Sequence, residues 1–233
     1  NRARLFLIFN CGAAIKQKYA KRIENNYICF MQIPSKYLEQ ATEQLATLPG
    51  IGKRTALKLA LHLHRRDGEE IKTFVEAFIQ LKTQTFACQL CGNISDTETC
   101  SICSNERRAN DVICVVEDVR DIMAIESTET FKGRYHVLGG IISPMDGIGP
   151  QDLNLDSLIE RSKNPEIIEI IFALSPTMEG DTTNFYLFKR IDREGLVITT
   201  LSRGVSIGSE LQYADEITLG RSLQQRQVFK LSV

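Results

Sequence analysis

The chain predicts a multidomain α/β protein: a helical N-terminal module, a small four-cysteine insert, a parallel-sheet domain and a helical C-terminal segment. Three observations carry this. Apolar residues at helical spacing follow residue 35, four of the seven cysteines fall between residues 88 and 103, and short apolar runs then alternate with helical stretches. A length of 233 residues with 43% hydrophobic content supplies cores for two or three small domains. The expected division is an extension over 1–30, a helical module over 31–84, a metal-binding insert over 85–107, an α/β domain over 111–206 and a C-terminal helix over 207–233.

Residues 1–30 show no caps and no sustained period, and they hold six Lys/Arg against the single acid Glu24. They read as a non-native or disordered extension, with a native start at Met31. The alternative is a basic arm. The remainder carries 22 basic and 28 acidic residues, so a nucleic acid would have to be met by a local basic patch. The longest apolar run at the start, Leu5–Phe9, is broken by Asn10 and is far shorter than the ~18 residues of a membrane span. No membrane role and a cytoplasmic location are expected.

Ser35 is a candidate N-cap, and Leu38, Ala41, Leu45 and Leu48 make one helical face that Pro49 and Gly50 end. A second helix is expected from Lys53 to Arg66. After the break at Asp67-Gly68 a third carries Ile71, Phe74, Val75, Phe78 and Leu81 on one side. Between the first two helices stands Leu48-Pro49-Gly50-Ile51-Gly52-Lys53-Arg54. Two glycines let backbone N–H groups approach a phosphate at a helix N-terminus, where the dipole also favours an anion. Arg54, Lys58, His62 and Arg65 repeat at 4-4-3 and line one face beside Lys53. The pattern looks like a helix-hairpin-helix, with Gly50, Gly52, Lys53, Arg54, Lys58 and Arg65 as DNA-backbone contacts; a merely solvated face is the alternative. A nucleotide-binding P-loop does not fit, because Thr47 stands where its first glycine belongs and Arg54 replaces the magnesium-holding Ser/Thr.

Cys88-x2-Cys91 and Cys100-x2-Cys103 are two knuckles that together complete a four-sulfur tetrahedral shell, the preference of zinc. With every coordination position filled by protein, the zinc would be structural. Unligated thiols, a redox pair and an iron–sulfur cluster are the alternatives.

Val112–Val116, Tyr135–Leu138, Ile167–Leu174 and Leu196–Leu201 read as strands of a parallel sheet covered on both faces. Glu117 follows the first, and Glu179-Gly180-Asp181 follows the third, at the edge where open α/β sheets place their sites. These carboxylates could hold magnesium, dock a partner, or complement helix dipoles. Residues 214–229 read as a closing helix.

Hairpin, cysteine insert and acidic α/β domain in this order resemble the RecR family of bacterial recombination mediators. The resemblance spans 31–233 and includes Val115-Val116-Glu117, His136-Val137-Leu138-Gly139-Gly140, Ser143-Pro144-Met145-Asp146-Gly147-Ile148-Gly149-Pro150, Glu179-Gly180-Asp181-Thr182-Thr183 and Leu219-Gly220-Arg221-Ser222. It implies a Toprim domain over 111–206 and a C-terminal segment that helps subunits close into a dimeric or tetrameric ring. It further implies a non-enzymatic, nucleoid-associated DNA-repair factor that binds single- and double-stranded DNA without sequence preference. Its implied partners are RecO and, in many bacteria, RecF, with which it loads a recombinase onto single-stranded DNA. Glu117, Glu179 and Asp181 match the Toprim acidic positions. The pair reads Glu-Gly-Asp where catalytic Toprim domains usually carry Asp-x-Asp, and no nucleophile has a motif around it, which argues against the runner-up reading of a magnesium-dependent nuclease, primase or topoisomerase.

Overall fold

The computed structural model describes residues 33–191, 193–205, 208 and 210–226; the expected extension over 1–30 with its start at Met31, and the chain after Arg226, lie outside the described residues. The chain divides within its third helix into two compact units, residues 1–75 and 76–233.

In the first unit Ser35, in extended backbone, caps α1 (Lys36–Ala46) by accepting the Leu38 N–H at 3.5 Å. Thr47 closes the helix and Gly50, at φ +77°, turns the chain in the left-handed region that an L side chain rarely adopts. The Ile51 N–H donates to Leu48 O at 3.1 Å, and α2 (Lys53–His64) begins. α1 and α2 pack on each other. The expected face of α1 is shifted. Thr42 is buried at 5% exposure while Ala41 is exposed and Leu48 is 49% exposed. Thr42 can be buried because its hydroxyl donates to Leu38 O at 2.7 Å, and the buried residues of α2 are the small Ala56 and Ala60, which suit a narrow seam.

α3 (Gly68–Gln84) carries the chain into the second unit, with Glu69 and Glu70 complementing the dipole in its first turn. Its expected apolar side is present, yet none of its residues is buried: Phe78 and Leu81 are 59% and 55% exposed.

The second unit opens with a two-strand ribbon, β1 (Phe86–Ala87) against β2 (Ile94–Ser95). It continues into a four-stranded, wholly parallel sheet of order β4-β3-β5-β6, built from β3 (Val112–Val116), β4 (Arg134–Val137), β5 (Glu169–Phe172) and β6 (Val197–Thr200). α4 (Val119–Glu126), α5 (Leu155–Ser162) and α6 (Met178–Arg190) link the strands in turn. β3 alternates between two cores. Ile113 and Val115 pack with Leu158 of α5, Leu187 of α6 and Ile170, whereas Cys114 and Val116 pack with Ile122 of α4, Tyr135 and Val137. The fold is the expected helical module, cysteine insert and parallel sheet, closed by α7 (Glu216–Gln224).

Gly180 shows why glycine separates the two acids of α6. A Cβ there would stand 2.0 Å from Ser175 O, because the loop from β5 folds back over the helix start and Thr177 caps it. Gly180→Ala should therefore destabilise the domain by about 1–3 kcal/mol in urea titration; an unchanged midpoint would mean that the Ser175 loop yields without cost.

Candidate functional site

The four cysteines converge. Their Sγ atoms lie within 4.8 Å of one another and each residue is at most 4% exposed. A tetrahedral zinc with Zn–S bonds of ~2.3 Å requires sulfurs about 3.8 Å apart; Cys91 and Cys100 stand at 3.6 Å. Turn hydrogen bonds shape the knuckles: Gly92 N–H to Cys88 O at 2.8 Å, Ser104 N–H to Cys100 O at 3.0 Å, and Cys100 N–H onto the Cys88 sulfur at 3.3 Å.

The protonation chemistry of this donor set asks for a cation. The contact with Cys103, reinforced by burial, pushes the Cys91 thiol far above the ordinary range. At Cys88 burial also opposes ionisation, but the backbone N–H groups of Cys100, Cys91 and Leu90 outweigh it and bring the thiol down to about 7. Four crowded sulfurs cannot all shed their protons in the chain alone. A dication removes that conflict, and the closed four-thiolate shell fits structural zinc, which cross-links two knuckles too small to have a core of their own. Cys114, by contrast, is a solitary core thiol that burial pushes up to about 12.

At the hairpin, Gly52 is the N-cap of α2 and supplies no side-chain cap, so the first-turn N–H groups of the helix have no capping side chain among the described residues. Lys53, Arg54, Lys58 and Arg65 are exposed, and none joins an ion pair among the described residues. His62 stands 3.4 Å from the Arg66 guanidinium, which adds a further basic residue at the end of the stripe. Uncapped amides and unpaired cations on one helix form an anion-facing surface.

The three carboxylates at the sheet edge behave differently. Glu117 Oε1 accepts the Ser175 N–H at 2.6 Å, and its backbone N–H donates to Asp121 Oδ2 at 3.1 Å, so this glutamate ties the exit of β3 to that of β5. Asp181 is clamped by Arg203 through both oxygens, at 2.5 and 3.0 Å, with Arg221 of α7 at 3.7 Å. Arg203 beside it holds its carboxyl below the usual range. Glu179 is half-buried in the first turn of α6, and its carboxylate has no hydrogen-bond partner among the described residues. Among the described residues the four cysteines are the group whose ligand atoms lie close enough to hold a metal ion; the carboxylates of Glu117, Glu179 and Asp181 do not form such a group.

Asp121, Ser175 and Arg203 escaped the sequence reading, and Arg221 entered it only as part of the closing Leu219-Gly220-Arg221-Ser222 stretch. Asp118-x-x-Asp121 could have been found as a capping box, since Asp118 caps α4 while Asp121 reaches back. Arg203, 22 residues from Asp181, stands in no local pattern.

Comparison with known proteins gives four family matches along the chain: the helix-hairpin-helix of RecR at 38–81, its four-cysteine zinc finger domain at 86–105, a Toprim domain at 111–202 and the RecR C-terminal region at 204–227. Proteins named recombination protein RecR are similar over most of this chain. The one from Phocaeicola vulgatus is 54% identical over 198 residues, 85% of this chain and 97% of its own length. Those of Bacteroides thetaiotaomicron and Flavobacterium johnsoniae are each 52% identical, over 85% and 86% of this chain and 97% of their own lengths. No described helix is long and apolar enough to cross a membrane.

Cys88→Ser should lower the zinc content well below one ion per chain and lower the melting temperature, read by atomic absorption and calorimetry; full stoichiometry would contradict the four-thiolate shell. Asp181→Asn should free Arg203 and Arg221, so that trypsin cuts at Arg203 several times faster than in the parent protein. Equal rates would show that the ion pair does not anchor the segment after Arg203.

Proposed function

Since the chain belongs to the RecR family of recombination proteins, we propose that it is a non-catalytic mediator of recombinational DNA repair that holds DNA through the hairpin of α1 and α2. The observation that carries this is the uncapped start of α2 behind Gly50 and Gly52, flanked by Lys53 and Arg54 and continued by Lys58 and Arg65. Backbone amides and lysine or arginine side chains read phosphate geometry and no base identity, so binding is independent of sequence and covers single and double strands.

The remainder of the chain after residue 30 is net acidic, which limits what one copy can bind. Several hairpins turned into one opening would sum their potential around the DNA, so the working form is a dimer or tetramer closed as a clamp. The partners are RecO and, where present, RecF, met at the acidic edge around Glu179, and the place of action is the nucleoid in the cytoplasm.

The second reading is a magnesium-dependent Toprim enzyme using Glu117, Glu179 and Asp181. The engagement of Glu117 with Ser175 and of Asp181 with Arg203 favours the mediator, because two of the three carboxylates are committed to holding the fold.

In a DNA-binding titration of the full chain with magnesium present, replacing Lys53 and Arg54 by Glu should weaken binding at least ~10-fold on all sequences and reduce the slope of log affinity against log salt by about two. An unchanged isotherm would remove the hairpin from the account. DNA recovered from the same titration should keep its length and topology; nicked, relaxed or extended product, lost in Glu179→Ala, would establish the enzyme instead.

A further inference from the structure

A zinc ion held by four thiolates carries a net charge of −2, and with each cysteine at most 4% exposed a cation supplied by the protein would favour it alongside the Cys100 N–H on the Cys88 sulfur. The insert is pressed onto the edge strand β4: Val137 N–H donates to Cys91 O at 2.7 Å, and a Cβ on Gly92 would meet Val137 O at 3.1 Å and Asn154 Nδ2 at 3.2 Å. One or two residues back along the same strand, Arg161 of α5 donates Nη1 to Tyr135 O at 2.9 Å and meets His136 Nδ1 at 3.0 Å.

This guanidinium is half-buried and forms no ion pair with a carboxylate among the described residues. A second arginine of the region, Arg134 of β4, has its Nε buried without a hydrogen-bond partner. The guanidinium of Arg161 and the backbone of the Cys91 knuckle therefore take sites two residues apart on β4, the Tyr135 carbonyl and the Val137 amide, and neither arginine has a carboxylate partner among the described residues. Burial and the nearby Arg134 lower the proton affinity of Arg161.

His136 fixes the geometry. Its Nε2 faces Asn154 O at 2.8 Å, which can only accept, so Nε2 carries the proton; Nδ1 then accepts from Arg161, which can only donate. The ring is fully buried, and burial lowers its pKa to about 4. It is therefore a neutral acceptor that aims the guanidinium without repelling it.

We propose that Arg161, aimed by His136 and the Tyr135 carbonyl, is the counter-cation of the zinc tetrathiolate and sets how tightly the insert holds its metal. The residue touches no DNA surface described above, and its role is separate from the repair reading.

The test is a competition of the zinc-loaded full chain against a chromogenic chelator. Arg161→Gln keeps a donor for the Tyr135 carbonyl but removes the charge, and should weaken zinc binding about 10–100-fold. Arg161→Lys keeps the charge and should retain most of the affinity. Arg193→Met removes an arginine that donates to the carbonyls of Ser162, Asn164 and Ile167, and should lower the melting temperature with no change in zinc affinity, which separates loss of fold from loss of charge balance. In the cobalt(II)-substituted protein, the thiolate-to-metal charge-transfer band should move to longer wavelength in Arg161→Gln, because a nearby cation stabilises the electrons on sulfur. Equal losses in the Gln and Lys variants, or no loss in Gln, would overturn the proposal. If Arg161→Gln does not fold, His136→Leu, which leaves the cation but removes its guide, decides: an intermediate loss supports the proposal and an unchanged zinc affinity sinks it.

Discussion

β3 is buried on both faces. Ile113, Cys114, Val115 and Val116 are each at most 2% exposed, so the strand has no side on which a charge could reach water. That constraint dictates the rest of the second unit. Helices must cover both faces, which sets α5 and α6 against Ile113 and Val115 and α4 against Cys114 and Val116. The first residue free to carry charge is Glu117, immediately after the strand. There its carboxylate takes up the Ser175 N–H of the adjoining strand exit, while its own N–H is taken by Asp121. The sheet edge that in other α/β proteins opens to a ligand is here sewn together by its own acid.

The same economy governs the acids further along. Asp181 stands in the first turn of α6, where the helix dipole already favours a carboxylate, and it spends both oxygens on Arg203. A group so engaged would have to give up a bidentate pair before it could ligate a metal. Of the three acids, Glu179 alone has a carboxylate without a hydrogen-bond partner among the described residues. The hairpin shows the opposite arrangement. Lys53, Arg54, Lys58 and Arg65 are exposed and join no ion pair among the described residues. In a body that is net acidic after residue 30, three such cations lie on α2 and the fourth at its C-cap, and the first turn of this helix has no side-chain cap.

What the sequence made legible follows from the range of the interactions. Knuckles spaced Cys-x2-Cys, the glycine turn before α2 and the cap at Ser35 are events within a few residues, and each left a readable signature. β3 was readable at both ends because a doubly buried strand is a continuous apolar run with abrupt limits. The buried seam of α1 was misplaced by one residue, since Thr42 satisfies its hydroxyl on its own helix and so passes as core. The apolar side of α3 was visible as a pattern, but a pattern does not say that burial follows. Arg203 with Asp181, and Arg161 with Tyr135 and His136, join positions far apart in sequence, and no single-chain spacing marks such pairs.

The last of these pairings shows how an insert without a core becomes part of a domain that has one. The two-residue strands β1 and β2 bury almost nothing, so the insert draws its order from the metal and from the surface beneath it. Its backbone is joined to β4 by the bond from Val137 to Cys91 O, and its charge is answered from α5 by Arg161. Backbone pairing alone would fix position but leave a buried dianionic cluster unbalanced; a cation alone would balance charge but not register. Both are supplied by Tyr135-His136-Val137, three consecutive residues that accept the guanidinium at the first carbonyl, aim it at the second ring and bind the knuckle at the third amide. On that arrangement the metal does more than tie two knuckles together: its loss would leave Arg161 without its counter-charge at the edge of the sheet, so zinc occupancy and the stability of the parallel-sheet domain are coupled through one arginine.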